Sequence, residues 1–468
     1  MDSYDKCFEH FERSNFLGTN DLVFTPIYLM VILFFAYRFR SAMVRDGSPL
    51  KAYFIRGLMF KLIGALAAGL IYQYYYKGGD TAYYWSSAST IYDYFFNDFD
   101  TAVKLLSAQP LIDHPDLVGS SLCVLYIRDI KAWTVIRFAG IFNLFSFDSY
   151  MVTALFFACI SFYGSWKIFT LLADLYPMLT KEFFNCIFMV PSVIFWGSGI
   201  FKDTITLSGL MLMVYHSYDA FVRGRLNPFN IIMIAISAYV VSMIRSFFIV
   251  IMVPCMFLWY FVSYRDKIRN RTLRRIALPL VIVVSVVAIF FGFSTFVSNS
   301  QEFNQDALKE RTKSIQDWHG SLGGSAYTLG DDLDYSMGGI LQKFPLAVNV
   351  TLFRPYIWEV HSFFQLITAI QSLFFLIYTL RTIFKAGLGY FFTVIGSDSL
   401  VIFCLTFSVF YAFVSGFTSY NFGALDRYKI PCLGFYMVAM VVINMKARVW
   451  KSRGRAKEVS FSAVNSRK

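Results

Sequence analysis

Six short polar segments lie at the ends of long apolar runs, and their residue types could bind a phosphate and accept a proton. The segments are residues 78–80, 199–203, Arg245, 354–359, 421–429 and a Gly- and Asp-rich stretch at 320–339. Asp80 follows two glycines, which let a ligand come close to the backbone, so its carboxylate is a candidate general base. Lys and Arg donors suit phosphate oxygens, and the candidate phosphate ligands are Lys202, Arg245, Arg354, Arg427 and Lys429.

Carboxylates and aromatic rings accompany these cations. Because an unpaired cation at membrane depth is costly, we expect Asp203 and Glu359 to act as charge partners. We expect Tyr84 and Trp358 to support the same site with their rings. Tyrosine-rich patches are also typical of the membrane–water interface, so an interfacial belt, sugar stacking and lipid contact are all open interpretations of the aromatic residues.

The last of the six segments contains a group of acidic residues. Asp331, Asp332 and Asp334 could hold a divalent cation through their oxygens, and a mobile loop over a substrate or an ordinary solvated loop are the alternatives. The 7 Cys residues show no CxxC spacing and predict neither a disulfide framework nor a metal site. We therefore expect no resident cofactor, and no metal outside this aspartate group.

Composition places these segments in a membrane protein. With 57% hydrophobic and 15% charged residues, the chain has too little polar surface for a soluble domain. Apolar runs near the ~20 residues that cross a bilayer occur at 22–38, 56–75, 150–171, 183–199, 203–222, 228–244, 246–264, 276–298, 362–382, 398–417 and 431–446. We predict an all-α bundle of about 11 transmembrane helices, a single integral membrane domain over residues 1–468. The runs that meet at Arg245 and at 199–203 are either paired spans or broken, re-entrant elements.

Charge sets the predicted orientation, since loops rich in Lys and Arg stay in the cytoplasm. Such clusters occur at 38–56, 265–275 and 446–457. The N-terminus is then outside and the C-terminus cytoplasmic, with a basic tail at 447–468. Loops 76–149 and 299–361 are external, with amphipathic surface helices, and all six polar segments share that side. The net charge of +12 is mostly a membrane anchor, and no nucleic-acid partner is expected.

Three of the segments carry motifs whose order resembles a known group of enzymes. Residues 78–84 read Gly-Gly-Asp-x-x-x-Tyr, residues 198–203 read Ser-Gly-Ile-x-Lys-Asp, and residues 421–429 read Asn-x-Gly-Ala-x-x-Arg-Tyr-Lys. This layout resembles bacterial O-antigen and exopolysaccharide polymerases of the EpsG and Wzy type. More broadly, it is similar to C-type (GT-C-like) membrane glycosyltransferases.

The resemblance implies a glycosyltransferase or polymerase that acts on polyprenyl-(pyro)phosphate-linked sugars at the external leaflet of the bacterial cytoplasmic membrane. Asp80 would receive the proton of the acceptor, while the cations would stabilise the leaving (pyro)phosphate. Expected partners are the lipid-linked glycan, the lipid bilayer and other envelope-polysaccharide assembly proteins.

Two other classes of protein fit the same residues. A transporter or flippase for a lipid-linked glycan would also line a cavity with cations, but it would more often contain an internal repeat. We find no convincing repeat, and two large loops on one side favour an enzyme. A non-catalytic envelope-assembly subunit is the third class, and it predicts that the cationic positions tolerate substitution.

Overall fold

The computed structural model describes residues 16–117, 124, 126–265, 271–299, 327, 329, 337–419 and 421–465. Over these ranges the secondary structure is helical, without a β-strand. The α-helices are Thr19–Arg45, Lys51–Ile71, Asp80–Asn97, Phe99–Leu105, Pro110–Asp113, Ile130–Ser146, Tyr150–Leu175, Thr180–Phe188, Pro191–Trp196, Lys202–Ser217, Pro228–Arg245, Phe247–Tyr264, Arg271–Asn299, Met337–Gln342, Phe344–Phe353, Phe363–Ala386, Leu388–Ser397, Ser399–Ser419, Phe422–Tyr428 and Ile430–Asn465. Turns of π- or 3₁₀-helix occur at Tyr72–Tyr76, Pro115–Leu117, Pro177–Leu179, Tyr218–Val222 and Ile357–Glu359.

Eight helices of the described chain are long and apolar enough to cross a membrane. They are Thr19–Arg45, Lys51–Tyr76, Tyr150–Leu175, Pro228–Arg245, Phe247–Tyr264, Phe363–Ala386, Ser399–Ser419 and Ile430–Ser452. The chain is thus a multi-pass helical membrane protein, as its composition predicts. The count of eleven helices and the orientation stay predictions.

Three of the eleven apolar runs are not among these eight helices. The run at 183–199 is divided at Pro191, whose ring nitrogen carries no N–H for a helical hydrogen bond, so two short helices replace one span. The run at 203–222 forms the α-helix Lys202–Ser217 and the π-helical turn Tyr218–Val222 that follows it directly. The run at 276–298 lies in Arg271–Asn299, with an apolar part at Pro279–Gly292.

Several helix boundaries follow from local capping residues. Asn227 accepts a hydrogen bond from the backbone N–H of Asn230, and Ser362 accepts one from Gln365. Asp398 accepts from the N–H groups of Leu400 and Val401, both at 3.0 Å. Such side-chain acceptors satisfy amide donors that have no partner within the helix. The breaks between helices are therefore partly encoded in single residues.

The structure consists of two compact units. Unit 1 contains Met1–Leu175, Ile187–Ala220 and Arg225–Ser246, and unit 2 contains Tyr176–Cys186, Phe221–Gly224 and Phe247–Lys468. Each unit includes one of the expected external loops, at 76–149 in unit 1 and 299–361 in unit 2. Asp331, Asp332 and Asp334 lie outside the described residues.

Small residues let the helices of unit 1 approach closely. A Cβ added at Gly164 would lie 2.6 Å from the Ser208 Oγ and 2.8 Å from the Ser208 carbonyl oxygen. A Cβ at Gly64 would lie 2.1 Å from the carbonyl oxygen of Ile194. These contacts are shorter than van der Waals distance, so only glycine fits there, as is common where membrane helices pack.

A polar network in unit 1 surrounds Asp148, immediately before the span Tyr150–Leu175. Its carboxylate accepts hydrogen bonds from the Ser89 hydroxyl at 2.6 Å and from the Asn143 amide at 2.8 Å. Burial raises the pKa of Asp148 to about 6, against the hydrogen bond from Ser89, and the nearby charges of Asp93 and Asp21 act in the same direction as burial. This group therefore titrates close to neutral pH.

Lys61 stabilises the interrupted segment that leads to the Lys202–Ser217 helix. It lies in the span Lys51–Tyr76 and is 1% exposed. Its ammonium donates to the carbonyl oxygen of Gly197 at 3.1 Å and to that of Val193 at 3.4 Å. These carbonyls belong to the end of Pro191–Trp196, where a positive charge is favourable. Lys61 thus holds the helix end in place inside the protein.

Unit 2 is built around the helix Ser399–Ser419, which packs against Ile430–Asn465, Phe344–Phe353 and Phe247–Tyr264. Aromatic stacking forms much of this core, as between Trp259 and Phe403, whose ring centroids are 4.4 Å apart. A Cβ at Gly416 would lie 2.3 Å from the Ala347 carbonyl oxygen. The helix Phe363–Ala386 also packs against Ile430–Asn465.

Candidate functional site

Asp80 lies in the first turn of the helix Asp80–Asn97, directly after a sharp change of chain direction. Lys77, Gly78 and Gly79 have φ angles of +54°, +129° and +109°. A Cβ at Gly79 would also lie 3.0 Å from the Tyr72 ring. The two glycines therefore meet a conformational need, because other residues rarely adopt such angles. They allow the carboxylate to stand at the start of the helix.

Tyr126 orients the Asp80 carboxylate. Its hydroxyl donates to Asp80 Oδ1 at 3.3 Å, and its ring lies 5.6 Å from that of the buried Tyr84. Burial raises the pKa of Tyr126, and the negative charge of Asp80 raises it further. The phenol therefore stays protonated at neutral pH and acts as a donor.

Lys202, the first residue of the helix Lys202–Ser217, contacts the same group of residues from a second helix. Its ammonium lies 2.9 Å from Asp129 Oδ2 and 5.9 Å from the centre of the Tyr84 ring. Asp129 also caps the helix Ile130–Ser146 by accepting from the Lys131 N–H at 2.9 Å. Partial burial alone would raise the pKa of Asp129, but Lys202 and backbone donors outweigh it and lower the pKa. The Asp129 carboxylate is therefore ionised at neutral pH.

Asp203, the next residue along the chain, pairs with Arg245. The Arg245 guanidinium donates to Asp203 Oδ1 at 2.7 Å, and the two side chains are only 12% and 2% exposed. Asp203 lies in the first turn of Lys202–Ser217, and Arg245 is the last residue of Pro228–Arg245. A buried charge needs such a partner, since an isolated one would be strongly destabilising.

Three helix N-termini consequently meet in unit 1, and we call this group of residues the unit 1 cluster. It consists of Asp80, Tyr84, Tyr126, Asp129, Lys202, Asp203 and Arg245. Helix N-termini carry partial positive charge and exposed N–H donors, which favour anions. The cluster therefore combines anion-binding elements with a carboxylate, Asp80, that is part-exposed.

A second group of predicted residues meets in unit 2, around Arg354. Its Nε lies 3.0 Å from each of the two carboxylate oxygens of Glu359. The terminal guanidinium nitrogen Nη2 also contacts Glu359 Oε1. Partial burial would raise the pKa of Glu359, but the Arg354 hydrogen bonds and the Tyr356 N–H lower it. The Arg354 guanidinium also lies over the rings of Tyr356 and Phe422, at 5.8 Å and 5.2 Å. Ion pairing and ring stacking together fix this guanidinium.

Lys429 ties the end of the short helix Phe422–Tyr428 to the same place. Its ammonium is 1% exposed and donates to the Arg354 carbonyl oxygen and to Ser372 Oγ, both at 3.3 Å. Asp426 Oδ1 lies 3.7 Å from it. Arg427 belongs to this short helix.

Trp358 stacks on Tyr356, with ring centroids 4.9 Å apart, and is 80% exposed. We call Arg354, Tyr356, Trp358, Glu359, Ser372, Asp426, Arg427 and Lys429 the unit 2 cluster.

The predicted site residues thus fall into two groups. Asp80, Tyr84, Lys202, Asp203 and Arg245 belong to unit 1, and Arg354, Trp358, Glu359, Arg427 and Lys429 belong to unit 2. Sequence reasoning missed Tyr126, Asp129, Asp426 and Ser372. The position of Asp129 before the helix starting at Ile130 is a cap signal that could have drawn attention to it, whereas no local pattern marks Tyr126.

No group of three or more His, Cys, Asp or Glu side chains arranged to hold a metal ion occurs in the described part of the chain. Comparison with protein-family models finds no matching family, and neither a curated protein nor a solved structure matches the chain.

Proposed function

We propose that the chain is a membrane enzyme that transfers a glycan from a polyprenyl-(pyro)phosphate carrier to an acceptor hydroxyl in cell-envelope polysaccharide synthesis. In this reaction the acceptor oxygen attacks the anomeric carbon, and the bond from that carbon to the phosphate oxygen breaks. The acceptor proton passes to a base, and the negative charge develops on the leaving group. The enzyme must therefore supply a base and fixed cations.

The observation that carries the proposal is the unit 1 cluster. Asp80 is held at a helix start by Tyr126, whose ring contacts Tyr84. Lys202 lies over that Tyr84 ring and pairs with Asp129, so the starts of two further helices belong to the same cluster. A carboxylate oriented by a phenol can receive a proton, while a lysine and helix N-termini suit an anionic leaving group. We assign the base to Asp80, and the leaving-group contacts to Lys202 and Arg245.

In the proposal, the unit 2 cluster binds a phosphate or sugar of the same class of lipid. Arg354 is fixed by Glu359 and by ring contacts, and such a guanidinium offers a preorganised fork to phosphate oxygens. Exposed Trp358 gives a flat apolar surface of the kind on which a sugar ring can stack. The inner-membrane location, the external leaflet and the assembly partners belong to the proposal as well.

The test uses purified protein in lipid, incubated with lipid-linked glycans extracted from its source cells, with glycan products separated on a gel. Asp80→Asn keeps the acceptor for Tyr126 but removes the base, so product should disappear. Asp93→Asn is the matched control, since Asp93 is an exposed carboxylate on the same helix. If wild type and Asp80→Asn give equal amounts of product, and size-exclusion chromatography shows that both proteins are folded, the assignment of the base is refuted.

A transporter for the same lipid-linked glycan is the second candidate. It is favoured by the pairing of Lys202, Arg245, Arg354 and Lys429 with carboxylates. Paired cations hold an added anion less tightly than unpaired ones, and a carrier must release its cargo. Movement of a fluorescent lipid-linked glycan between vesicle leaflets, without any change of product size, would support transport and contradict transfer.

A further inference from the structure

Four basic residues lie at the ends of two membrane-spanning helices of unit 2, away from both clusters in the sequence. Arg381 and Lys385 lie in the last turns of Phe363–Ala386. Arg448 and Lys451 lie on Ile430–Asn465, near the end of its membrane span Ile430–Ser452. The charges of Arg381, Arg448 and Lys451 all act on the Lys385 ammonium. The two helices pack together, so the four cations form one local group, which we call the basic group.

None of these four cations forms an ion pair with any residue that the structure describes. Lys446, two residues before Arg448 on the same helix, is different, because it contacts the Asp398 carboxylate. Glu182 and Arg448 both influence the Tyr378 hydroxyl, so a carboxylate is in the neighbourhood, yet no salt bridge joins it to Arg448 within the described ranges. Like charges held together repel one another. Within the described part of the chain, the basic group therefore offers a positive surface without a paired carboxylate.

Apolar side chains flank this charge on the outer surface. Phe384, next to Lys385, is 80% exposed, and Leu388 is also exposed. Trp450 stacks on Tyr390, with ring centroids 4.6 Å apart and planes 13° apart, and the Tyr390 hydroxyl donates to the Lys446 carbonyl oxygen at 3.3 Å. This stack ties the short apolar helix Leu388–Ser397 to the last helix. Cations and exposed apolar rings are thus held side by side at the end of two spans.

We propose that the basic group is a binding site for the phosphate headgroup of an anionic phospholipid. Lys and Arg at the end of a membrane helix attract anionic lipid headgroups, and aromatic residues anchor at the same depth. A free phosphate would use only the cations, whereas a lipid also covers Phe384, Leu388 and Trp450 with its acyl chains. The lipid therefore accounts for both halves of the surface. This proposal is independent of glycan transfer.

The experiment is a lipid titration of the detergent-solubilised full chain by native mass spectrometry. The probes are dioleoylphosphatidylglycerol, which is anionic, and dioleoylphosphatidylcholine, which carries a phosphate but no net charge. Arg448→Gln combined with Lys451→Gln removes half of the basic group. The matched control, Arg38→Gln with Arg45→Gln, removes two exposed cations at the end of Thr19–Arg45 in unit 1.

Wild type and the control should bind the anionic lipid more tightly than the zwitterionic one. The Arg448/Lys451 variant should bind the anionic lipid about twenty-five-fold more weakly, at about fivefold per charge. Three results would overturn the proposal. The first is equal weakening in both double variants, which would reduce the effect to net charge. The second is unchanged affinity in the Arg448/Lys451 variant. The third is displacement of the lipid by glycerol phosphate in proportion to concentration, since that would make the ligand a small phosphate.

Discussion

Removing each charge of the buried pair of Arg245 and Asp203 distinguishes a structural role of the arginine from a role in binding a phosphate. Arg245→Met removes the charge and keeps an unbranched apolar side chain. Asp203, which is 2% exposed, then stays behind as an uncompensated carboxylate. Asp203→Asn removes the opposite charge while keeping a hydrogen-bond acceptor, and the double variant removes both charges.

The expected magnitude follows from the burial of both groups. Breaking one side of a buried ion pair costs about 3–5 kcal/mol in the free energy of unfolding, mostly through the charge that is left unpaired. In the double variant no unpaired charge remains. We therefore expect a coupling energy of about 2 kcal/mol, so that the double variant is clearly more stable than the sum of the single effects predicts.

The assay is reversible unfolding in mixed micelles followed by far-UV circular dichroism, with the four proteins forming a double-mutant cycle. Additive effects, agreeing within about 0.5 kcal/mol, would refute the idea that the two charges stabilise each other. The transfer assay then separates the two roles. If Arg245 binds the leaving phosphate, the double variant regains stability but stays inactive, and recovery of full activity would assign Arg245 a structural role only.

Three further predictions follow from the structure. Asp148→Asn should flatten the pH dependence of stability, because burial raises the pKa of Asp148 from 3.8 to about 6. A raised carboxylate pKa favours the folded state at low pH, so wild type should lose up to about 3 kcal/mol relative to the variant as pH rises from 4 to 7. Gly164→Leu should abolish folded yield in size-exclusion profiles, because its Cβ would clash with the neighbouring helix, whereas Gly389→Leu, with no atom within 4 Å of its Cβ, should not. Asp129→Asn should change stability by less than about 1 kcal/mol, because its pair with Lys202 is partly exposed. The same variant should lower transfer activity, since Lys202 loses the group that positions it, and unchanged activity would contradict that role.

Much of the helical architecture could be predicted from residue type and run length. The apolar runs around Tyr150–Leu175 and Ser399–Ser419 are spans because a bilayer leaves backbone groups no partner other than their own helix. The helix boundaries within the run at 183–199 could not be predicted from hydropathy, since the hydropathy is continuous but Pro191 divides the run. Hydropathy measures transfer to lipid and contains no information about which buried side chain, here Lys61, satisfies a broken helix end.

The candidate site was only partly predictable. The cations stood out because charges are rare beside apolar runs, but their partners did not. Asp129 lies 73 residues from Lys202, and Asp203 lies 42 from Arg245. Tyr126 carries no local signal, since a tyrosine near a membrane boundary is ordinary. Such pairings depend on how helices pack against one another, which residue spacing within one helix does not specify.

Residue order alone indicates a multi-pass helical membrane protein with unusual charges at its helix ends, because run length and composition are local properties with a direct physical cost in lipid. Which charges neutralise one another depends instead on how the helices pack in three dimensions. The packing placed Asp80 with Tyr126 in one unit, and it joined Arg354 with Glu359 and Lys429 in the other. It also left the basic group without a described partner. Helix packing is set by close contacts such as Gly164 against Ser208, and these contacts fix the positions of residues far apart in the chain.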